Sequence, residues 1–457
     1  MTRLSWIATL AALAWTAAPA SAHAQGRPQD GGASAPLLSL EEAVDLAGRH
    51  NHLVASTALE VDKAEERTAA MRTRRLPAFR LDGYAGRLLN SPDLKVPAGS
   101  LGTVPSVGAF PPSPMKLSIP SDWFGVGVAS VGQPLTQQYR IGLGLEALRL
   151  DREVASEDLR RERQRLAAEV RATYYQLSAN EAGVLALRDL IRAIEEVDSQ
   201  TTRYRAEDVV LRSEALEVKA RLARERQRLA AAESGLSTQR EHLNQLMGRD
   251  VATPFRVSQP SELASSAGAL TLEAAREQAL AARPEVRKST LRTAQAETAR
   301  RLARAEWIPD LTATASYARG ANTGVLPNEV ATVGLVFTWE PFDWGRRSHE
   351  ASERALTIRQ ARDAHEETAQ QIEVEVGQRW RALKDAAQLL EAARDSREAA
   401  QAYLDDTRNR YREDAKMLHD VLEAEARMSS ARHDFTDALA GYWSASAELE
   451  RAIGHEN

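Results

Sequence analysis

The sequence predicts a mixed α/β membrane protein made from an internally duplicated chain. Its small β-sheet is completed by other copies of the chain, and long helical coiled coils continue it. Three observations lead there. The first is an alternating hairpin between Trp307 and Arg346. Leu311, Ala313, Ala315 and Tyr317 alternate with Thr312, Thr314 and Ser316; Val333, Leu335, Phe337 and Trp339 alternate with Thr332, Gly334, Val336 and Thr338. A period of two separates an apolar face from one of hydroxyls and small residues, although a half-buried soluble sheet gives the same pattern. The second is the length of the helical stretches: no proline lies between Leu135 and Thr253, or after Pro341. The third is that this order of elements occurs twice.

Residues 1–24 read as a secretory signal. Arg3 is the only charge before Arg27, and Leu4 to Ala18 is an apolar run too short to span a bilayer. Ala20-Ser21-Ala22 and Ala22-His23-Ala24 both fit cleavage, so the mature chain starts at His23 or Gln25. Its formal charge is then −6 (−5 minus 1), which argues against a nucleic-acid partner. No other apolar run reaches roughly 18 residues, so no transmembrane helix is expected, and an exported chain of this kind is periplasmic, secreted or a β-barrel. The chain has no cysteine, which excludes disulfides, thiolate metal sites, a cysteine nucleophile and a lipoprotein anchor. With 27% charged and 5% aromatic residues it suits long, one-sided helices better than a compact globule.

Residues 25–37 form a polar, flexible lead-in. The first repeat spans 38–248. Ser39 and Glu42 make a capping box, and the helix they open breaks near His50-Asn51-His52, resumes, and stops at Leu76-Pro77. A β-hairpin over 79–134 follows, with Phe124, Val126 and Val128 marking its clearer strand and a long irregular loop from Leu88 to Ser121. A helical hairpin occupies 146–248. Val170, Leu177, Val184 and Ile191 recur every seven residues along its first helix, which spans Glu146 to about Gln200 and measures on the order of 80 Å. Residues 249–269 read as a linker. The second repeat spans 270–457, with its β-hairpin at 311–340 and helical hairpin at 346–454. Leu270-Thr271-Leu272-Glu273 follows Leu38-Ser39-Leu40-Glu41 by 232 residues (270 minus 38), and Ile308-Pro309 follows Leu76-Pro77 by the same interval. Arg410-Tyr411 repeats Arg203-Tyr204, and Ile453-Gly454 repeats Met247-Gly248.

Four strands cannot close a barrel, and open edges are not tolerated in lipid. Two copies would supply eight strands and three would supply twelve, wide enough for a channel. In this setting the chain resembles the TolC family of outer membrane efflux proteins over nearly its whole mature length. The resemblance rests on LSLEEAVDLA and LTLEAAREQA, the hydrophobic-Pro steps before each hairpin, VGLVFTWEPFDWGRR, and the turns RYRAEDVVLRSEALEVKAR and RYREDAKMLHDVLEAEAR. It implies a trimer in the Gram-negative outer membrane, with a twelve-stranded β-barrel continued by a long α-helical coiled-coil barrel in the periplasm. The implied role is the exit duct of a tripartite efflux or type I secretion system, with a periplasmic adaptor protein and an inner-membrane transporter as partners and outer membrane lipid around the barrel.

The same resemblance places a gate at the periplasmic end. Tyr411 and Lys416 would be tethers, Asp420 and Glu423 a ring of carboxylates, and Glu214 an acidic acceptor. Val209, Val210, Leu211, Ser213, Met417 and Leu418 would form the tip that docks the adaptor. Solvated charges on coiled-coil flanks would look the same. Two positions depart from the family, which has glycine where Glu207 and Asp414 stand. The nine histidines are scattered, His50 and His52 read as a structural loop, and no catalytic set, cofactor site or metal site is expected. The rival readings are a periplasmic adaptor, which carries one helical hairpin rather than two, and a coiled-coil scaffold, which needs no alternating sheet.

Overall fold

The computed structural model describes residues 36–455 except 88, 90–92, 119–122, 207–210, 259–269, 322–327 and 414–416. The first copy runs β1 (Leu37–Leu38), α1 (Leu40–His50), α2 (His52–Thr73), β2 (Ala78–Arg87), β3 (Asp93–Val96), β4 (Thr103–Val104), β5 (Gly108–Ala109), β6 (Met115–Ser118), β7 (Trp123–Pro134), α3 (Gln137–Ala206) and α4 (Arg212–Leu246). After β8 (Arg256–Val257) the second copy runs α5 (Leu272–Ala282), α6 (Pro284–Ala305), β9 (Asp310–Ala321), β10 (Glu329–Thr338), α7 (Arg346–Arg412) and α8 (Leu418–Ala452). No helix among the described residues is long and apolar enough to cross a membrane.

Local chemistry sets the ends of these elements. Ser39 Oγ accepts from the Glu42 amide at 3.2 Å while Glu42 Oε2 accepts from the Ser39 amide at 2.9 Å, satisfying two orphan donors of α1. Asn51 closes one helix and opens the next: its amide donates to the Ala47 carbonyl, and its Oδ1 accepts from the Leu53 and Val54 amides. Pro284 at the first position of α6 supplies the same break in the second copy.

Three sequence expectations change. The stretch 88–121 holds two antiparallel ladders, β3 with β6 and β4 with β5, where an irregular loop was expected. Pro97, Pro105, Pro111, Pro112 and Pro114 bound the ladders without interrupting them, because proline is excluded only where its amide must donate. Leu37, assigned to the lead-in, and Arg256 and Val257, assigned to the linker, are strand residues: β1 pairs in parallel with β8, which buries Leu38 and Val257 beside Phe255. Finally, α3 starts at Gln137, not Glu146, and runs for 70 residues, about 105 Å at the ordinary rise. Gly142 and Gly144 disguised its first turns. α2 passes nearby: a Cβ on Gly144 would lie 2.5 Å from Cε at the flexible end of Met71, and one on Gly142 would make ordinary contact with Arg75.

The main sheet has the order β10-β9-β7-β2, every pair antiparallel. Thr136 splices the two copies at its base, donating from Oγ1 to the Pro309 carbonyl at 2.7 Å and accepting from the Leu311 amide at 2.9 Å. Below the sheet the helices make four columns. α3 and α7 are unbroken. α2 and α4 flank α3, one above the other, and α6 and α8 together fill the place between α3 and α7. The splices in the two composite columns are equivalent. Gly248, just past α4, has φ +66° and sits where a Cβ would be 2.1 Å from the His50 carbonyl oxygen, at the break between α1 and α2. Gly454, just past α8, has φ +84° and abuts the Ala282–Arg283 break between α5 and α6. Only glycine permits both the left-handed turn and the approach.

The cores follow these columns. Val170, Tyr174 and Leu177 of α3 pack with Leu243 and Met247 of α4 and with Ala43 and Ala47 of α1. Val376 and Leu383 of α7 pack with Leu449 and Ile453 of α8 and with Ala275 and Ala279 of α5. Both seams are narrow, which leaves the charged flanks of the columns wet.

Candidate functional site

The candidate site is the wall formed by sheet and columns, with its far tip. In the sheet, register decides which side chains share a face. Phe79, Val131, Ala315 and Val333 lie in one row across the four strands, and Leu81, Ala129, Tyr317 and Ala331 in another. The intervening rows carry Arg80, Ser130, Ser316 and Thr332, where the two hydroxyls of the last pair lie 2.6 Å apart. One face is thus apolar and the other hydroxylated, as the hairpin pattern indicated. At the base of the sheet follow Trp339, Phe342 and Trp344, all more than half exposed, and Phe342 and Trp344 meet edge to face with centroids 4.8 Å apart.

Phe124, Val126 and Val128 fall on the hydroxylated face, opposite to what their apolar alternation suggests. Val128 stands in register with Asp82 and Ala318, and Phe124 packs against Tyr84 at 5.6 Å between centroids. The residues that β7 contributes to the apolar face are Trp123, Gly125, Gly127, Ala129, Val131 and Gln133.

The columns are stitched by charge. Lys288 donates to Asp158 at 2.5 Å between α6 and α3, and Arg240 to Glu181 at 2.7 Å between α4 and α3. At the level of the second splice, Arg283 (6% exposed) bridges Glu285 and Glu375, and Arg451 also reaches Glu375. Burial works to raise the Glu375 carboxyl, but its hydrogen bonds and charge contacts with Arg283 and Arg451 prevail and hold it below the usual carboxylate range.

The seam between α3 and α8 runs antiparallel through Gln164 with Gly454, Arg171 with Glu450, and Tyr175 with Trp443. Continued downward, it brings the start of α8 beside the end of α3, so both helical turns lie at one end of the molecule. There Arg408 of α7 donates to Glu425 of α8 at 2.9 Å, a tie across the second hairpin that sequence reasoning missed. Tyr411 is exposed near the end of α7. Asp420 is half-buried in the first turn of α8, where its Oδ2 accepts from the Met417 amide at 3.0 Å. Glu423 is exposed one turn later. Leu211 and Met417 precede α4 and α8 and are 68% and 77% exposed, and Ser213 is exposed beside Leu211. Glu214 and Leu418 lie in the first turns of α4 and α8, but their side chains, like Val209, Val210, Lys416, Glu207 and Asp414, lie outside the described residues.

The sequence matches the family model for outer membrane efflux proteins twice, over residues 43–249 and 275–455. The chain belongs to the outer membrane efflux protein family. The two matches coincide with the two structural copies, and membership makes the protein an efflux channel of the outer membrane in a family of channels rather than enzymes. Comparison with curated protein sequences finds no match.

The fold is similar to that of the CmeC outer membrane channel of Campylobacter jejuni, at 17% identity and TM-score 0.71 over 91% of this chain and 85% of that one. It is similar to the outer membrane protein VceC of Vibrio cholerae, at 15% identity and TM-score 0.68 over 91% and 96%. The open state of the MtrE outer membrane channel of Neisseria gonorrhoeae gives 18% identity and TM-score 0.68 over 91% and 88%. This efflux protein therefore keeps its channel fold on a sequence far diverged from theirs.

Proposed function

We propose that three copies of this efflux protein assemble into the exit duct of a tripartite efflux or type I secretion pump. The observation that carries this is the pair of open edges. The sheet ends on β2 at one side and β10 at the other, and an open edge in lipid costs several kcal/mol per unpaired backbone group. Pairing β2 of each copy with β10 of the next removes every edge and gives twelve strands, with the apolar rows facing lipid and the hydroxylated rows facing the lumen. The four helical columns per copy continue as a tube of twelve columns in the periplasm.

At its tip, Tyr411 and Lys416 reach acidic groups that include Glu214, and three copies each of Asp420 and Glu423 ring the axis. Close carboxylates of like charge attract cations and resist ionising together. The adaptor docks on Val209, Val210, Leu211, Ser213, Met417 and Leu418; exposed apolar residues at the end of a charged tube support that reading. Single-channel conductance of the detergent-purified protein, with its mass from light scattering, tests the whole. A trimer with small cation-selective openings that widen on Tyr411→Phe is expected; a non-conducting monomer or dimer would sink the duct.

A further inference from the structure

A groove of about 530 Å³ lies between α3, α4 and α8. Leu187 and Leu190 of α3 and Leu236 of α4 give it apolar walls, and Arg221, Glu225 and Arg228 of α4 line it with charge. These charges do not cancel. Both oxygens of the buried Glu225 accept from Arg228, at 3.0 and 3.2 Å, so that carboxylate is already taken. Arg221 is half-buried and has no acidic partner among the described residues. His433, the one other titratable residue of the lining, lies 3.5 Å from Asp437, which is outside it. Gly235 widens the hollow. It stands inside the 35-residue α4, where glycine weakens a helix, yet a Cβ there would meet nothing within 4 Å. Packing does not require that glycine, and the space it leaves suits a bound molecule. An apolar hollow with one uncompensated guanidinium is the chemistry that takes an amphipathic anion: the leucines desolvate its body, and the fork of donors takes the acid.

The groove opens on the other side of the wall from α1. Asn180, Gly183, Leu187 and Leu190 are turned about 140° around α3 from Ala167, Arg171 and Tyr175, which lie alongside α1. Twelve helices about 10 Å apart leave a lumen of about 28 Å, which three copies each of α1 and α5 would choke. α1 therefore lies outside the tube, and the groove faces the lumen about 26 Å along α3 from its end at Ala206. We propose that this groove is a cargo site of the duct for amphipathic organic anions, holding an aryl or alkyl carboxylate or sulfonate between Arg221 and the leucines. An anion that has passed the carboxylates proposed at the tip is repelled from returning through them. The proposal deepens the duct reading above and rests on it.

Equilibrium dialysis of the full-length protein in lipid nanodiscs tests this, with naphthalene sulfonate and naphthylmethylammonium as matched probes and empty nanodiscs as the blank. The sulfonate should bind about tenfold more tightly than the ammonium. Arg221→Gln should weaken the sulfonate about tenfold and leave the ammonium unchanged. Gly235→Trp should fill the groove and abolish sulfonate binding with no fall in thermal midpoint, since its side chain enters open space. Arg359→Gln, which removes an exposed charge on α7 outside the lining, should bind as wild type does. The sulfonate, added at the barrel end, should also reduce single-channel current in wild type and not in Arg221→Gln. Equal binding of the two probes, undiminished binding in Arg221→Gln, or equal loss in Arg359→Gln would each overturn the site. Binding that leaves the current unchanged would put the groove outside the duct and overturn its role in cargo passage. A wild type that conducts as a trimer without binding the sulfonate would overturn the groove and leave the channel reading standing. Absence of both trimer and conductance would remove the duct and the lumenal site with it.

Discussion

Tyr174 and Trp380 make the same contact 206 residues apart (380 minus 174). The Tyr174 hydroxyl donates to the Leu38 carbonyl at 2.7 Å, and the Trp380 indole N–H donates to the Leu270 carbonyl at 2.9 Å. Each pins the start of its own copy to the long helix of that copy. The two bonds differ in what else depends on them, since Tyr174 Oη also accepts from the Ser258 amide at 3.0 Å. Tyr174→Phe should therefore cost about 2 kcal/mol by stranding that donor, and Trp380→Phe about 1 kcal/mol. The shift in thermal midpoint of the detergent-solubilised protein, followed by helical circular dichroism, reads the difference. Equal shifts would mean that Ser258 finds another partner.

The glycine splices predict a second asymmetry. A Cβ at position 454 would meet Ala282 carbon atoms at 3.0–3.1 Å, while one at 248 would overlap the His50 carbonyl at 2.1 Å. Both substitutions force a side chain into the left-handed region at about 1 kcal/mol, but Gly248→Ala must also push two helices apart. Gly454→Ala should still yield folded protein with a lowered midpoint, and Gly248→Ala should yield little. Recovery of folded protein from membranes measures both.

Sidedness of the sheet is open to direct test. Leu335→Arg on the apolar face should cost about 2–4 kcal/mol of insertion, whereas Val128→Arg and Thr314→Arg should insert nearly as wild type does. Val128 is the informative one, because it is apolar and yet its register sets it beside Asp82 on the hydroxylated face. Failure of Val128→Arg to insert would reverse the assignment of faces.

Low pH should act through Glu375. Its carboxyl is held below the usual range, so its contribution to stability is complete above the unfolded value near 4.3 and is lost as pH falls through the lower folded value. Glu375→Gln should flatten the acid limb of stability against pH below about 4.3, at the expense of stability at neutral pH, where Arg283 loses a partner. Thermal midpoints across pH 3 to 7 provide the comparison.

Substitution can separate the cap that Asp420 makes from the charge proposed for it in the ring at the tip. Asparagine keeps an oxygen for the Met417 amide but removes the charge; alanine removes both. Asp420→Asn should reduce cation selectivity at an unchanged thermal midpoint, and Asp420→Ala should in addition cost about 1 kcal/mol. Unaltered selectivity in both variants would leave Asp420 a helix cap and nothing more.

Much of this architecture was legible in the chain because it is written twice. The interval of 232 between Leu38 and Leu270 identified the copies, and the heptads from Val170 to Ile191 identified α3. What was not legible depends on partners distant in sequence. The face of Val126 and Val128 is set by register with β2 and β9, which no strand encodes by itself. The true start of α3 was hidden by Gly142 and Gly144, which read as turn residues in the sequence. At the tip, the location of Tyr411 near a helix end followed from the repeat and that of Asp420 from the family resemblance, while the cap made by Asp420 and the tie from Arg408 to Glu425 followed from neither.

The composite columns also bear on how the chain is made. α3 is flanked on one side by α2 and α4 of its own copy and on the other by α6 and α8, which emerge only after residue 283. Neither copy is a folding domain in its own right. Contacts of such long sequence separation form slowly, and the seam of α3 stays uncovered until most of the polypeptide is present. Synthesis and export must therefore deliver nearly the whole chain before it can settle, and a product truncated after Gly248 would leave the α6- and α8-facing side of a helix over 100 Å long uncovered.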